Sequence, residues 1–344
     1  MKKRYFLTAL ILILVFAAAG YSQNFSKVGT AVAQFLKIPA GARGASLGGA
    51  YAAAAEDVFA MAWNPAGIGH IRRPSLSGSY NNYIADLKYS FVGYAMPASN
   101  QSSFGVSAIF LTTDPIEITT IEQPNGTGTY YDYSGIVLGL SYSQGLTDRL
   151  NVGVTLKLIR ESIFREDASA VAFDIGSQFD TGIYGVRLGM CISNFGSKMR
   201  LDGPDINTTA DTNPNMQGDR ETASSLQTLD WPLPMMFRMG ILVDLFGGGN
   251  PDFHSEKNRL TLVADANDPI DHNLRGNLGA EYSWNETLAL RVGYHTNYDN
   301  NTLGLTFGGG LNFGYGGNEF SLDYAFQDFG LLDYVHQYSL TVYF

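Results

Sequence analysis

The chain has 344 residues with a formal net charge of −10, and 16% of its residues are charged, against about 25% in an average soluble domain. Its 20 tyrosines and 21 phenylalanines exclude a disordered chain. Its acidic charge argues against nucleic acid as a partner, because non-specific binding to phosphates needs a basic surface. The single cysteine, Cys191, excludes a disulfide framework or a site built from several cysteines.

The beginning of the chain has the pattern of an export signal. Three basic residues are followed by an uncharged apolar run from Tyr5 to Ala19, and then by small residues up to Ser22. This order is typical of a cleaved signal peptide, which we predict over residues 1–22, and it places the mature protein outside the cytoplasm. An uncleaved anchor helix is the alternative, but the run is short for a membrane span.

Residues 23–73 are rich in alanine and glycine and do not alternate in polarity. Asp57 is placed to cap a short helix that runs to Trp63, and Asn64 followed by Pro65 should end that helix. If the rest of the chain closes into a wide barrel, its lumen has room for such a segment. We therefore predict a partly helical hatch at 23–73; the alternative is a periplasmic tail outside the barrel.

From residue 74 onward, apolar residues alternate with small or polar ones. Leu150, Val152 and Val154 share one face of a segment, for example, while Thr155 and Lys157 share the other. A period of two is the signature of strands. We predict fourteen strands, at 75–83, 88–97, 102–113, 134–144, 149–161, 170–179, 184–195, 235–246, 258–267, 275–284, 287–296, 303–314, 319–327 and 334–344.

The length and number of these strands are typical of a membrane barrel. About ten residues, tilted by about 45°, cross the hydrocarbon core, and single-chain bacterial barrels have an even number of strands. We therefore predict that residues 74–344 are all-β and form a transmembrane antiparallel β-barrel. With both termini in the periplasm, the two longest connections, 114–133 and 196–234, fall on the outer side, as such barrels require.

A secreted β-sandwich would also alternate, so the face opposite the apolar one decides between the two folds. In a soluble sheet that face would carry lysine and glutamate. Here it is dominated by small residues, namely Gly135, Gly139, Ser141, Gly189, Cys191, Ser193, Gly304, Thr306, Gly308 and Gly310. Small residues suit a crowded lumen, and the apolar face then contacts lipid.

The last strand carries a further signal. Tyr338, Leu340, Val342 and Phe344 alternate up to a final phenylalanine. This ending resembles the terminal signal of outer-membrane barrels that the barrel-insertion machinery reads. We therefore expect this machinery and outer-membrane lipid among the partners.

No group of residues predicts catalysis. The five histidines form no metal-ligand spacing, and His295 is expected to join Arg291 in a polar network in the lumen. Four residues with oxygen ligands fit no calcium loop, and a solvated acidic loop is expected there: Asp265, Asn267, Asp268 and Asp271. We predict no enzyme activity, no metal and no cofactor.

Ten residues of the hatch segment form a recognisable combination: Gly41, Arg43, Gly48, Gly49, Asp57, Trp63, Asn64, Pro65, Ala66 and Gly67. The combination resembles the N-terminal signature of the PorV/PorQ family, which is itself similar to the FadL-like outer-membrane barrels. The resemblance implies a 14-stranded barrel with a luminal hatch.

Two functions follow from this resemblance. The first is an accessory of type IX protein secretion or surface attachment, with secretion-system subunits and secreted cargo proteins as partners. In that case loop 196–234, with Trp231 to Pro234, would bind the partner. The second is FadL-like transport of hydrophobic small molecules, which needs an elongated apolar pocket in the lumen. A purely structural barrel is a third, weaker hypothesis.

Overall fold

The computed structural model describes residues 27–183, 185–211, 221–247, 255, 257–296 and 304–344. The signal peptide predicted at 1–22 lies outside these residues, as does most of the connection that follows Phe246. Within the described ranges, no helix is both long enough and apolar enough to cross a membrane.

Fourteen antiparallel strands form a closed barrel. The strands are β1 Ser75–Asn82, β2 Lys88–Pro97, β3 Ser102–Thr112, β4 Tyr133–Thr147, β5 Leu150–Ile163, β6 Glu166–Asp180, β7 Val186–Gly196, β8 Met236–Phe246, β9 Asn258–Pro269, β10 Arg275–Trp284, β11 Leu288–Thr296, β12 Leu305–Tyr315, β13 Asn318–Asp328 and β14 Tyr334–Tyr343. Each strand pairs with its neighbours in the chain, and β1 pairs with β14 to close the barrel. The predicted fold is confirmed.

The alternation of the strands places apolar side chains outside the barrel. On β5, Val154 and Leu158 are 40% and 52% exposed, whereas Thr155 and Lys157 are buried. Cys191 on β7 also faces inward and is buried, as predicted for a small luminal residue. An exposed apolar surface around a closed barrel is the expected surface for contact with lipid.

The two longest connections, 113–132 and 197–235, lie at the same end of the barrel as the connections that follow β1, β5, β9, β11 and β13. This end is called the long-loop end here, and the other end is called the short-turn end. Two of these connections contain short β-ribbons, one formed by Ile116–Glu117 and Tyr130–Tyr131 and the other by Asn207–Asp211 and Glu221–Ser225. The connection predicted at 162–169 is shorter than expected, because β5 and β6 extend their pairing from Ser162↔Asp167 to Ile163↔Glu166.

The hatch, residues 27–73, contains only short helices and lies in the lumen. They are a 3₁₀-helix at Gln34–Lys37, α1 at Ala42–Ser46, α2 at Ala60–Trp63 and a 3₁₀-helix at Pro65–His70. Most hatch residues from 40 to 69 are buried. A wide barrel therefore acquires a core from this segment, since strands alone would leave its centre empty.

One detail of the predicted hatch helix is wrong. The helix begins at Ala60 with Phe59 as its N-cap, and no side chain caps it. The Asp57 carboxylate instead accepts a hydrogen bond from the Tyr51 hydroxyl at 2.6 Å. The predicted end is correct: Asn64 has extended backbone angles, as expected before a proline, and its side chain accepts from the Ala66 N–H to cap the next helix.

Candidate functional site: the hatch and the lumen

The Asn64–Pro65 step packs directly against the backbone of the barrel wall. A Cβ atom at Gly153 would lie 2.3 Å from the Pro65 carbonyl carbon, and one at Gly176 would lie 2.0 Å from Asn64 Oδ1. The amide nitrogen of Asn64 donates to the Ala52 carbonyl at 2.8 Å and to the Ser177 carbonyl of β6 at 3.0 Å. Glycine in β5 and β6 therefore allows the hatch backbone to approach the wall.

A second close approach lies at Gly48 and Gly49. Both residues have positive φ angles, 66° and 73°, which glycine adopts without a steric penalty. A Cβ atom at Gly48 would lie 2.8 Å from the Tyr294 nitrogen, and one at Gly293 of β11 would lie 2.0 Å from the Gly48 nitrogen. The turn after α1 is therefore in close backbone contact with β10 and β11.

Polar side chains of the barrel satisfy the hatch backbone between these two contacts. Asp265 Oδ2 on β9 accepts hydrogen bonds from the N–H groups of Tyr51 and Ala52 at 2.9 and 2.8 Å. Gln178 Nε2 on β6 donates to the Ala55 carbonyl at 2.8 Å and to the Ala52 carbonyl at 3.2 Å. Irregular backbone buried in a lumen needs such partners, because unpaired buried groups are costly.

Trp63 forms the upper surface of the hatch, toward the long-loop end. Its indole N–H donates to the Ala40 carbonyl at 2.7 Å, and its ring meets Tyr51 edge-on at 5.6 Å between centroids. The Arg238 guanidinium of β8 lies over the same ring at 5.3 Å and donates to the Trp63 carbonyl. This stack holds the indole in one orientation.

Near the short-turn end, an ion network joins the hatch to the wall. Arg43 donates to both carboxylate oxygens of Glu281 on β10, at 2.9 and 3.0 Å. Arg291 on β11 bridges Glu281 at 2.5 Å and Asp323 on β13 at 2.6 Å. These four side chains are 80% or more buried. Each charge therefore needs its oppositely charged neighbours to offset the free-energy cost of removing it from water.

The network continues through Glu56 of the hatch. One Glu56 oxygen lies 3.4 Å from Arg43, and the other accepts from Arg187 of β7 at 3.1 Å. Burial alone would raise the pKa of Glu56, but the guanidinium groups of Arg43, Arg187 and Arg259 lower it to about 2. The carboxylate is therefore ionised over the physiological pH range.

The surroundings of Asp57 shift the pKa of its carboxyl group in the opposite direction. Burial raises the pKa of its carboxyl group, although Arg43 and the Tyr51 hydroxyl both act to lower it. Burial also raises the pKa of Tyr51, and the neighbouring Asp57 raises it further. The Tyr51 hydroxyl therefore stays protonated and donates to Asp57.

A cavity of about 610 Å³ separates the hatch from the long loops. One wall, from β8 to β11, carries polar and cationic side chains, including Arg238, Asn267 and Arg275. The opposite wall is apolar and largely aromatic: Phe35, Tyr83, Leu87, Leu111, Tyr133 and Phe329. The cavity therefore differs from a uniformly apolar channel, and its floor includes Trp63 and Gly49.

The structure brings the ten predicted hatch residues together in the lumen. Gly41 contacts Phe59, Gly67 contacts the Ala55 carbonyl, and the Ala66 carbonyl accepts from Ser143 of β4. The predicted C-terminal signal is elsewhere, on the outer face of β14, where Tyr338, Leu340 and Phe344 are exposed and Val342 is half-buried.

The interpretation of residues 265–271 as a solvated loop is wrong for three of its residues. Asp265, Asn267 and Asp271 are buried, and Asp271 pairs with Lys37 of the hatch at 2.7 Å. Their inward orientation continues the period-two alternation of β9, and this signal could have identified them. No cluster that could hold a metal ion occurs in the described ranges.

Two further expectations concern the lumen and the loop. His295 and Arg291 both face inward on β11, as predicted, and His295 lines the cavity rather than the ion network. In the segment expected to bind a partner, Leu233 is buried and the Pro232 carbonyl accepts from the Val32 N–H. Leu233 and Pro232 therefore clamp the hatch.

Comparison with known proteins identifies similar sequences and folds. The family model described as type IX secretion system protein PorV matches residues 21–220. No curated protein matches the chain in sequence.

Three solved structures share the fold. The toluene transporters TbuX of Ralstonia pickettii and TodX of Pseudomonas putida are each 12% identical, with a TM-score of 0.55, over 88% of this chain and 97% of theirs. A FadL homologue of Pseudomonas aeruginosa is 13% identical, with a TM-score of 0.50, over 87% of this chain and 97% of its own.

Proposed function

Because the chain belongs to the PorV family of type IX secretion system proteins, we propose that it is an outer-membrane barrel that assists protein secretion or surface attachment by binding other proteins. The observation that carries the proposal is the closed lumen. The hatch is bonded to the wall by Asp265, Gln178 and Arg43, so a polypeptide has no path through the barrel. The partners would therefore be bound at the surface.

The loop between β7 and β8 is the best candidate for that surface. The buried Leu233 holds the end of this loop against the hatch, while Leu226 and Leu229 are 62% and 69% exposed. Large apolar side chains exposed on a loop are a feature of protein-interaction sites. Secretion-system subunits and secreted cargo proteins are the proposed partners.

The proposal is tested by substituting Leu226→Ser and Leu229→Ser together and measuring both the cargo delivered to the cell surface and the secretion subunits that co-purify with the barrel. We expect both to fall severalfold while the amount of barrel in the outer membrane stays constant. Ile121→Ser is the matched control, because Ile121 is 96% exposed on the other long connection. Unchanged delivery and co-purification with the double variant would contradict the proposal.

The second candidate function is FadL-like transport of a small molecule. The cavity of about 610 Å³ at the long-loop end favours it, since its size is typical of small-molecule sites. Transport would require the hatch to move away from Gly293 and Gly176. Uptake by vesicles that contain the purified barrel tests it: crosslinking a cysteine pair between hatch and wall should stop uptake, and uptake that continues would contradict hatch movement.

The remaining assignments concern export and assembly. We propose that residues 1–22 are a cleaved signal peptide, that 23–73 act as the hatch, and that Phe344 with Tyr338, Leu340 and Val342 is read by the barrel-insertion machinery. N-terminal sequencing of the protein from outer membranes should begin between residues 20 and 23. Deletion of Phe344 should reduce the folded barrel in the outer membrane, and an unchanged amount would contradict the insertion role. We propose no catalytic role.

A further inference from the structure

The hatch begins at the long-loop end of the barrel. The Val32 N–H donates to the Pro232 carbonyl of the loop between β7 and β8 at 3.1 Å. Lys37 pairs with Asp271 at 2.7 Å, and Asp271 lies in the connection that follows β9. Both of these connections belong to the long-loop end, so this part of the hatch lies there as well.

The barrel wall holds the same segment from β4 and β5. The Ala33 N–H donates to the Glu161 carboxylate of β5 at 3.2 Å, in the part of that strand next to the long loops. The Phe35 ring lies against Gly135 of β4, where a Cβ atom would be 2.9 Å from the ring. Residues 32–37 are therefore fixed to the loop between β7 and β8, to β4 and β5, and to the connection after β9.

The last residues of the hatch lie at the short-turn end. Arg73 pairs with Glu319, which follows the turn between β12 and β13. The Pro74 carbonyl accepts a hydrogen bond from the Phe344 N–H. The hatch therefore runs through the lumen from one end to the other, and its first residues lie at the opposite end of the barrel from Phe344.

The residues that precede the fixed segment form an exposed turn. The Thr30 hydroxyl donates to the Lys27 carbonyl at 2.6 Å, and Gly29 has a φ angle of 80°, which suits the third position of a type II turn. All four residues are exposed, and the Val28 side chain is 58% exposed. Residues Lys27–Thr30 are called the amino-terminal turn here.

The amino-terminal turn lies within the width of one protein interface from the exposed leucines of the loop between β7 and β8. Val28 precedes Val32 by four residues, and Leu229 precedes Pro232 by three. Because Val32 and Pro232 are hydrogen-bonded and a chain spans at most about 3.6 Å per residue, the backbones of Val28 and Leu229 are at most about 30 Å apart. An interface that buries about 800 Å² per partner has a similar width.

We propose that the amino-terminal turn is part of the surface that binds protein partners, together with Leu226 and Leu229. The inference rests on the proposed role in secretion and adds a second element to its binding surface. The occupant is a secreted or secretion-system protein with an apolar contact surface, because Val28 and the two leucines are exposed and apolar.

Cysteine labelling tests which side of the membrane the turn faces. The chain has one cysteine, Cys191, which is 1% exposed, so an introduced cysteine can be labelled selectively. On intact cells, Val28→Cys should react with a membrane-impermeant maleimide as fully as Ile121→Cys, because Ile121 is 96% exposed on a long connection. Tyr315→Cys, at a position 78% exposed at the short-turn end, should react severalfold more weakly until the outer membrane is permeabilised. A Val28→Cys variant that follows Tyr315→Cys would overturn the proposal.

A bulky label tests whether the turn takes part in binding. Val28→Cys coupled to a polyethylene-glycol maleimide should lower the co-purified secretion subunits and the delivered cargo severalfold, and the same label on Ile121→Cys should leave both unchanged. Val28→Ser removes only the apolar side chain and should lower both about twofold or more. Equal losses with the label at the two positions, or a loss with the label but none with Val28→Ser, would overturn the inference.

The leucine variants separate this inference from the proposed function. If Leu226→Ser with Leu229→Ser lowers delivery while the Val28 variants leave it unchanged, the inference alone is overturned. If none of these variants changes delivery, the proposed function is contradicted as well. Because Val28 is exposed, its substitution should not alter the amount of barrel in the outer membrane, which is measured for each variant.

Discussion

The two ends of the lumen differ in how completely their polar groups are paired. At the short-turn end, Arg43, Glu281 and Arg291 form a continuous ion network with Asp323. At the long-loop end, the buried Asn267 Oδ1 has no hydrogen-bond partner in the described ranges. The network therefore joins the hatch to the wall more completely than the groups around the cavity do.

This difference has energetic consequences. Removing one partner of a buried network leaves the others unsatisfied, which costs free energy, whereas removing a group that is already unsatisfied costs little or stabilises the fold. Substitutions at the two ends should therefore differ in their effect on the free energy of unfolding, and the following predictions are ordered by the expected size of that effect.

The largest effect is expected where the hatch backbone contacts the wall. Gly293→Ala would place a Cβ atom 2.0 Å from the Gly48 nitrogen, and backbone cannot move aside as a flexible side chain can. We expect destabilisation of about 3 kcal/mol, measured by urea unfolding in lipid vesicles. Gly78→Ala is the control, since the nearest atom is 3.8 Å away there. Equal unfolding midpoints for the two variants would show that the hatch does not press on β11.

The next effect concerns the ion network. Arg43→Met leaves Glu56 with one fewer cation and Glu281 with Arg291 alone, and we expect a loss of about 2 kcal/mol together with faster proteolysis of the hatch. Arg73→Met removes an exposed pair with Glu319, and about 0.5 kcal/mol or less is expected. A hatch that stays resistant to protease in Arg43→Met would contradict its role as an anchor.

A pair of amide substitutions compares the two ends directly. Gln178→Leu removes the donor to the Ala55 and Ala52 carbonyls and should cost about 1–2 kcal/mol. Asn267→Leu removes an unpaired amide and should change stability by less than about 0.5 kcal/mol, or increase it. Both are measured by urea unfolding. Equal losses in the free energy of unfolding would mean that the Asn267 amide has a hydrogen-bond partner when the barrel is in the membrane.

Within the physiological pH range, the smallest effect is expected from pH. The pKa of Glu56 is lowered from 4.5 to about 2, so its stabilising contribution is fully present above pH 4.5 and is lost as the pH falls toward 2. Glu56→Gln should remove this part of the loss of stability in acid. Between pH 6 and 8, the dependence of the free energy of unfolding on pH should not change. The pKa of Asp57 is shifted in the opposite direction, and because burial is the largest cause of that shift it persists in Glu56→Gln, although the loss of the Glu56 charge makes it smaller. A steep change above pH 5 that Glu56→Gln abolishes would contradict the assignment.

The sequence predicted the barrel more completely than the site. All fourteen strands were predictable because each alternates apolar and small residues for about ten positions, a pattern that needs no knowledge of distant residues. The hatch was predictable from the lack of alternation at 23–73 and from the Asn64–Pro65 step. The prediction that Asp57 caps the helix is wrong, because its carboxylate accepts a hydrogen bond from the Tyr51 hydroxyl and the helix has only one turn.

The amino-acid sequence by itself determined the number of strands and the approximate position of each, since a period of two is a local property. Only the tertiary structure decided which luminal groups meet. Asp265 reaches the N–H of Tyr51 across 214 residues, and Arg43 reaches Glu281 across 238. These pairings depend on the register of every strand and on the closure of the barrel. Arg238, Asn267 and Arg275 are likewise neighbours only because the register of β8, β9 and β10 aligns them.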